Sequence, residues 1–406
     1  MTEPDVREAL LAGAADVVPA DGLDHKLSLG RPLRVKLGLD PTAPQVTLGW
    51  AVVLRKLRQF QDAGHLAVLI VGDFTARVGD PSGKSETRPR LDKEVVRGFA
   101  DRLLDQFWLI LDRGRTQVRY NSEWIDALGT EGILGLASST TVARMLERDD
   151  FATRFDENRP ISILEFLYPL LQGYDSVAVE ADVELGGTDQ LFNLLMGRDL
   201  QRAAGQEPQV ALTMPLLVGT DGVQKMSQSL GNYVAIRDDP DEMYGKLLRV
   251  PDELIAEYRR LTLDFFGDPG ESDRVAGGLA NGRLDPWAEK RRMASEVVDL
   301  YHGAGAGAAA GERFDRVHRD REAPEDLPEV VLSDEWSHGR NGMYWMPNLL
   351  WRSGLATSKS EARRLIEQGG VRLDGRQIAD PDAEVGADDL RGHVLQVGRR
   401  RFVRYV

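Results

Sequence analysis

The feature that most restricts the fold is a strand, turn, helix and strand in succession between residues 33 and 73. Leu33-Arg-Val-Lys-Leu-Gly-Leu39 reads as a strand, followed by a turn rich in Pro and Thr, Asp40-Pro-Thr-Ala-Pro-Gln-Val-Thr47. Leu48–Ala63 reads as an amphipathic helix, with Leu54, Leu57 and Phe60 on one side and Arg55, Arg58 and Asp62 on the other. Leu66-Ala-Val-Leu-Ile-Val-Gly-Asp73 is a short continuous apolar run, the pattern of a buried parallel strand. Asp92–Leu111 reads as a further helix and Val118-Arg-Tyr-Asn-Ser-Glu-Trp124 as a third strand. This alternation predicts an α/β sheet. In such sheets ligands sit beyond the carboxyl ends of the strands. A strand that feeds a helix through a turn also aims helix-start N–H groups at the turn, which suits an anion such as a phosphate.

The rest of the chain is less regular. Residues 1–30 read as one helix and a turn. Thr141–Asp156 and Ile163–Gly173 are helical and rich in large apolar residues, and Glu184-Leu-Gly-Gly-Thr-Asp-Gln190 breaks the pattern with paired glycines. Asp239–Tyr301 turns mostly helical. Gly303–Gly311, only Gly and Ala, either extends a helix or forms a flexible joint. Pro324 and Pro328 mark a boundary, beyond which 331–406 reads as a small separate unit.

Composition excludes several chemistries. There are no cysteines, so disulfides, thiolate zinc sites and cysteine nucleophiles are out. Six scattered histidines do not suggest a metal site. No apolar run is long enough for a membrane span, and the acidic, helical N-terminus is unlike a signal peptide, so a cytoplasmic location is expected. The net charge is −14, yet basic residues outnumber acidic ones from Pro347 to Val406. An acidic body with a basic tail fits a tail that meets a polyanion, with a chance fluctuation as the alternative.

Four polar groupings carry chemistry. Gly79-Asp-Pro-Ser-Gly83-Lys84-Ser85 superficially resembles a phosphate-binding loop, but has three residues between its glycines where four are needed. Tyr168, Gln172 and Asp175 are spaced four and three apart, which puts a phenol, an amide and a carboxylate on one helix face. Gly186-Gly-Thr-Asp189-Gln190 lets backbone approach a nucleotide closely while Asp189 accepts from hydroxyls. Gln224-Lys-Met-Ser-Gln-Ser-Leu-Gly-Asn232 reads as a mobile polar loop. At the tail, Ser358 can cap a helix that projects Lys359, Arg363 and Arg364, ended by Gly369-Gly, with Arg372 on the strand that follows. Arg399–Arg401 adds positive charge there.

Together these motifs resemble the class I aminoacyl-tRNA synthetases, specifically bacterial tyrosyl-tRNA synthetases. The resemblance runs from Leu33 to the C-terminus. It implies a Rossmann-like parallel-sheet catalytic domain over 1–220 with a helical insertion near 100–170 that forms a homodimer interface. A helical anticodon-side domain over 221–325 and an S4-like RNA-binding domain over 331–406 would follow. The implied reaction joins tyrosine and ATP into tyrosyl-adenylate and passes the tyrosyl group to tRNA, with Mg2+ accompanying ATP. By resemblance Lys36, Asp80, Tyr168, Gln172, Asp175 and Gln190 line the tyrosine site. Asp40, Gly49, Trp50, Gly187, Asp189, Lys225, Met226, Ser227, Gln228 and Ser229 meet ATP. Thr42, Thr47, Lys225 and Gln228 take the positions that act on the leaving pyrophosphate. Lys359, Arg363, Arg364 and Arg372 meet RNA.

The two family signatures are altered. Thr47 and Trp50 stand for the two histidines of the first, and Gln228 for the second lysine of the other. Removing one preorganised transition-state donor costs about 10²–10³-fold, and two such losses approach roughly 10⁴ without being strictly additive. Three readings therefore stay open: a working tyrosine–tRNA ligase, at full or reduced rate, a paralogue redirected to a tyrosine analogue or to charged tRNA, and a non-catalytic RNA- or tyrosine-binding protein.

Overall fold

A computed structural model describes residues 3–80, 92–264, 270–318, 327–337, 342–398 and 401–406. Residues 81–85 of the glycine-bounded stretch, Pro324, Arg399 and Arg400 lie outside them. The chain forms two compact units, Met1–Ala304 and Gly305–Val406. The expected division at residue 220 falls within the first.

The first unit is built on a six-stranded sheet. Its strands are β1 (Asp16–Val18), β2 (Arg34–Leu39), β3 (Leu66–Val71), β4 (Thr116–Tyr120), β5 (Val183–Gly187) and β6 (Val210–Met214), in the order β1-β6-β5-β2-β3-β4. All neighbours are parallel except β1 and β6. β3 is an unbroken buried run, as its apolar sequence requires. β2 lies between β3 and β5, so the strand order reverses there. Chains leaving the carboxyl ends of β2 and β5 diverge and leave room for a ligand. The helix Leu48–Asp62 follows β2, burying Leu54, Leu57 and Phe60.

The structure corrects the sequence reading in several places. Residues 1–30 hold two helices, Glu3–Leu11 and Gly22–Ser28, with β1 between them. The stretch expected to break the pattern at Glu184 is strand β5 itself, its two glycines closing the strand. Thr141–Asp156 divides into the short helices Val142–Met145 and Asp149–Asp156. These pack with Ser122–Ser138 and Ile163–Ala178 around Ile125, Phe151, Leu170 and Leu171. The Gly/Ala run does not extend the preceding helix, which ends at His302: Gly303 and Gly305 take positive φ, and a new helix begins at Ala306.

The second unit has its own core of Tyr344, Leu349, Ile366, Val371, Leu395 and Tyr405. Two helices, Met346–Arg352 and Lys359–Glu367, accompany a five-stranded sheet. The Ser358 hydroxyl accepts from the Glu361 N–H, as expected of a cap.

Candidate functional site

The strand ends bring most of the expected residues into two hydrogen-bonded arms. Asp40 follows β2 directly. It accepts from the Tyr168 phenol at 2.9 Å and from the Thr75 hydroxyl at 2.7 Å. Thr75 accepts from the Asn121 amide at 3.0 Å, and that amide also faces Asp175 at 3.4 Å. The Trp124 indole N–H completes this arm, donating to Asp175 at 2.8 Å. Gly72 makes the arm possible, because a Cβ there would lie 2.1 Å from the Asp40 carboxylate and 2.3 Å from the Thr75 hydroxyl.

A second arm holds the other expected amino-acid contacts. The Gln190 amide donates to Asp80 at 3.0 Å. Asn193 donates to the side-chain oxygens of both Gln190 and Gln172, each at 3.0 Å. The Arg148 guanidinium donates to Asn193 at 3.1 Å and lies 3.8 Å from Asp80. Gln172 continues to Glu184 at 3.4 Å. Lys36, fully buried, closes the arm: its ammonium pairs with Glu184 at 2.9 Å and donates to the Ser176 hydroxyl and the Gln172 carbonyl. Lys36 thus spends its protons inside the protein.

Burial sets the electrostatics. Desolvation pushes the carboxyls of Asp40 and Asp175 up to about 7. For Asp40 the Thr75 hydrogen bond opposes the rise, and for Asp175 the Lys36 charge does. Burial and the Asp40 charge raise the Tyr168 phenol well above its ordinary value.

The two signatures face each other through a hairpin. Lys225 bridges antiparallel to Val218, and the Asn232 side chain accepts from the Ser227 N–H and donates to Asp221 and to the Gln224 and Lys225 carbonyls. Gly219 is required here, since a Cβ would sit 2.2 Å from that Asn232 amide. Lys225 pairs with Asp189 at 2.6 Å. Ser227 and Ser229 share a hydroxyl hydrogen bond. Gln228 donates to the Gln45 carbonyl at 2.6 Å. Met226 accepts the Gly49 N–H at its sulfur, 3.4 Å away.

The altered positions have structural work. Thr47 is buried and caps the helix Leu48–Asp62, accepting from the Trp50 N–H. The Trp50 ring stacks on Phe107, 6.4 Å between centroids, and stays 37% exposed. Thr42 lies in the turn between Asp40 and the helix, its N–H bonded to the Asp40 carbonyl, and Gly187 ends β5 beside Asp189.

In the second unit Lys359 lies 5.9 Å from the Trp345 ring and 5.3 Å from that of Trp351. Arg363 pairs doubly with Asp382. Arg372 donates to the Gly375 carbonyl, and Arg364 is exposed.

Sequence reasoning missed Thr75, Asn121, Trp124, Arg148, Glu184 and Asn193. Only Asn121 had a visible signal: a short polar residue where a strand passes into a helix. Among the described residues no group of three or more His, Asp or Glu side chains could hold a metal ion, and no helix is long and apolar enough to cross a membrane.

Known proteins match this chain along most of its length. The profile of the family described as tRNA synthetases class I (W and Y) matches residues 28–319, and that of the S4 domain matches 346–390. The chain is 52% identical over 399 residues to the tyrosine–tRNA ligase of Moorella thermoacetica, covering 97% of this chain and 94% of that protein. It is 49% identical to that of Thermotoga maritima, covering 100% and 98%. Among solved structures, the tyrosyl-tRNA synthetase of Archaeoglobus fulgidus complexed with L-tyrosine superposes with a TM-score of 0.63 at 23% identity, covering 76% of this chain and 99% of that one. The tyrosyl-tRNA synthetase of Aeropyrum pernix gives 0.62 at 20% identity, covering 76% and 98%.

Proposed function

The chain belongs to the class I tRNA synthetases of the W and Y group, and from that premise we propose that it is a tyrosine–tRNA ligase. The tyrosine carboxylate attacks the α-phosphorus of ATP and pyrophosphate leaves. A terminal ribose hydroxyl of the tRNA then attacks the tyrosyl carbonyl and AMP leaves. Magnesium arrives as the counter-ion of the ATP phosphates.

The observation that carries the proposal is Asp175, buried and held by Trp124 and Asn121 at one end of the first arm. A fixed buried acceptor discriminates strongly, because phenylalanine would leave it without the phenol partner. In the second arm Asp80, with Gln172 and Gln190, and with Tyr168 from the first, takes the substrate ammonium, a charge that compensates a desolvated carboxylate. Asp189 and Gly187 take the ribose, and Lys225 the phosphates. Thr42 and the amino end of the helix Leu48–Asp62 receive the developing negative charge. Thr47 keeps that helix end in place, and Trp50 walls its outer side.

Leu134, Val142, Phe155 and Ile163 are 65%, 63%, 61% and 79% exposed on four successive helical segments. A second copy of the chain covers this surface in a homodimer, and a single-chain mass in sedimentation would remove that part of the proposal. The S4 unit meets tRNA through Lys359, Arg363, Arg364 and Arg372, and the protein works in the cytoplasm.

The test is tyrosine-dependent ATP–pyrophosphate exchange with phenylalanine as control. Exchange with tyrosine alone is expected. Tyrosine binding without exchange would sink the ligase reading.

A further inference from the structure

Three contacts hold the Lys-Met-Ser loop, one to Asp189 beyond β5 and two to the stretch that carries the first signature, and they differ in kind. Lys225 lies on the Asp189 carboxylate and Met226 on the Gly49 N–H, both groups expected to meet the nucleotide. Those two contacts have to exchange when ATP enters. The third runs from the Gln228 amide to the Gln45 backbone carbonyl. A carbonyl accepts nothing from phosphate oxygens, so ATP offers Gln45 no replacement for this contact.

The surroundings of the contact are firm on both sides. Gln45 precedes Val46, whose N–H is bonded to the Gln106 side chain and whose carbonyl accepts from Ile236. Thr47 pairs with Ala235, and Leu48 donates to the Val234 carbonyl. The loop leaves this seam at Tyr233 and is pinned internally by Asn232. Between those pins and Lys225, Gln228 makes the side-chain hydrogen bond that reaches the Asp40–Thr47 turn.

We propose that Gln228 is a positioning residue that latches the Lys-Met-Ser loop to the Gln45 carbonyl, so that Lys225 swings from Asp189 to the phosphates about a fixed point. The neutral amide at this position gives no charge to the pyrophosphate. It keeps the loop closed before ATP arrives, which removes the ordering cost from the binding step.

The experiment compares Gln228→Ala and Gln228→Glu with the unaltered protein. Amide hydrogen exchange of residues 224–230 is followed without substrates, and the KM values for ATP and tyrosine are measured in pyrophosphate exchange. The latch predicts about tenfold faster exchange in both variants, since opening free energies set exchange rates. It predicts an ATP KM raised about tenfold, with the tyrosine KM unchanged. A carboxylate facing the carbonyl cannot donate, so Gln228→Glu fails to rescue. Unchanged amide exchange in Gln228→Ala overturns the proposal. So does faster exchange with an unaltered ATP KM. The kinetic arm rests on the ligase reading, whereas the hydrogen-exchange arm stands without it, so the two failures are told apart.

Discussion

Replacing Lys36 with Met tests the innermost part of the site. The ammonium is fully buried and makes three contacts at once, to Glu184, Ser176 and the Gln172 carbonyl. Met fills a similar volume without charge. It leaves the Glu184 carboxylate buried with neutral donors only, from Ser176, Gln172 and Gln209. Breaking a buried ion pair on one side costs roughly 3–5 kcal/mol, most of it the stranded charge. At about 2 °C per kcal/mol for a large domain, the melting temperature falls by roughly 6–10 °C. The double variant Lys36→Met/Glu184→Gln removes both charges and recovers most of that loss. The assay is thermal and urea unfolding of the four proteins of the cycle at pH 8, which isolates the pair from its surroundings. The single variant also withdraws the positive charge that opposes the raised carboxyl of Asp175. Its tyrosine KM should therefore rise about tenfold at pH 7 and recover toward pH 9. A single variant within about 1 kcal/mol of the parent, or a coupling near zero, would refute the reasoning.

Asp40→Asn should stabilise the substrate-free protein while disabling it. The folded carboxyl sits at about 7, above its unfolded value of 3.8, so the folded state binds the extra proton and stability falls as pH rises between those values. The variant's advantage is thus absent near pH 4 and complete above pH 7, on the order of 2–4 kcal/mol at most. Differential melting at the two pH values checks it, and an equal advantage at both contradicts it. In the second unit, Lys359→Ala/Arg364→Ala should weaken tRNA binding and lower the slope of log affinity against log salt by about 1.5. A filter-binding series from 50 to 200 mM salt reads this, and an unaltered slope removes these residues from the RNA surface.

Much of this architecture was written locally in the chain. β2, β3 and the helix between them are legible because each carries its own period or apolar run. Tyr168, Gln172 and Asp175 are legible because three- and four-residue spacing on one helix is itself geometry. β5 escaped because Glu184 interrupts its apolar run. That glutamate makes sense only beside Lys36, which lies in the neighbouring strand and far away in sequence. Asn121 and Trp124 escaped likewise, since both serve Asp175 from beyond β4. β1 and β6 pair across most of the first unit and carry no turn signal that links them. In sequence Thr47 and Gln228 read as altered catalytic positions that keep hydrogen-bonding side chains. In three dimensions each has a partner, a helix N–H and a backbone carbonyl.

The Asn193 bridge between Gln172 and Gln190 has a consequence for the heat of binding. Before any substrate arrives, the amides and carboxylates of the second arm already satisfy one another. The zwitterion proposed to bind there trades hydrogen bonds rather than adding them. Burial of the aromatic ring then shows as a negative heat-capacity change on binding. Such a site discriminates by the imbalance that a wrong guest leaves behind: a ligand lacking one polar group breaks a bond it cannot replace.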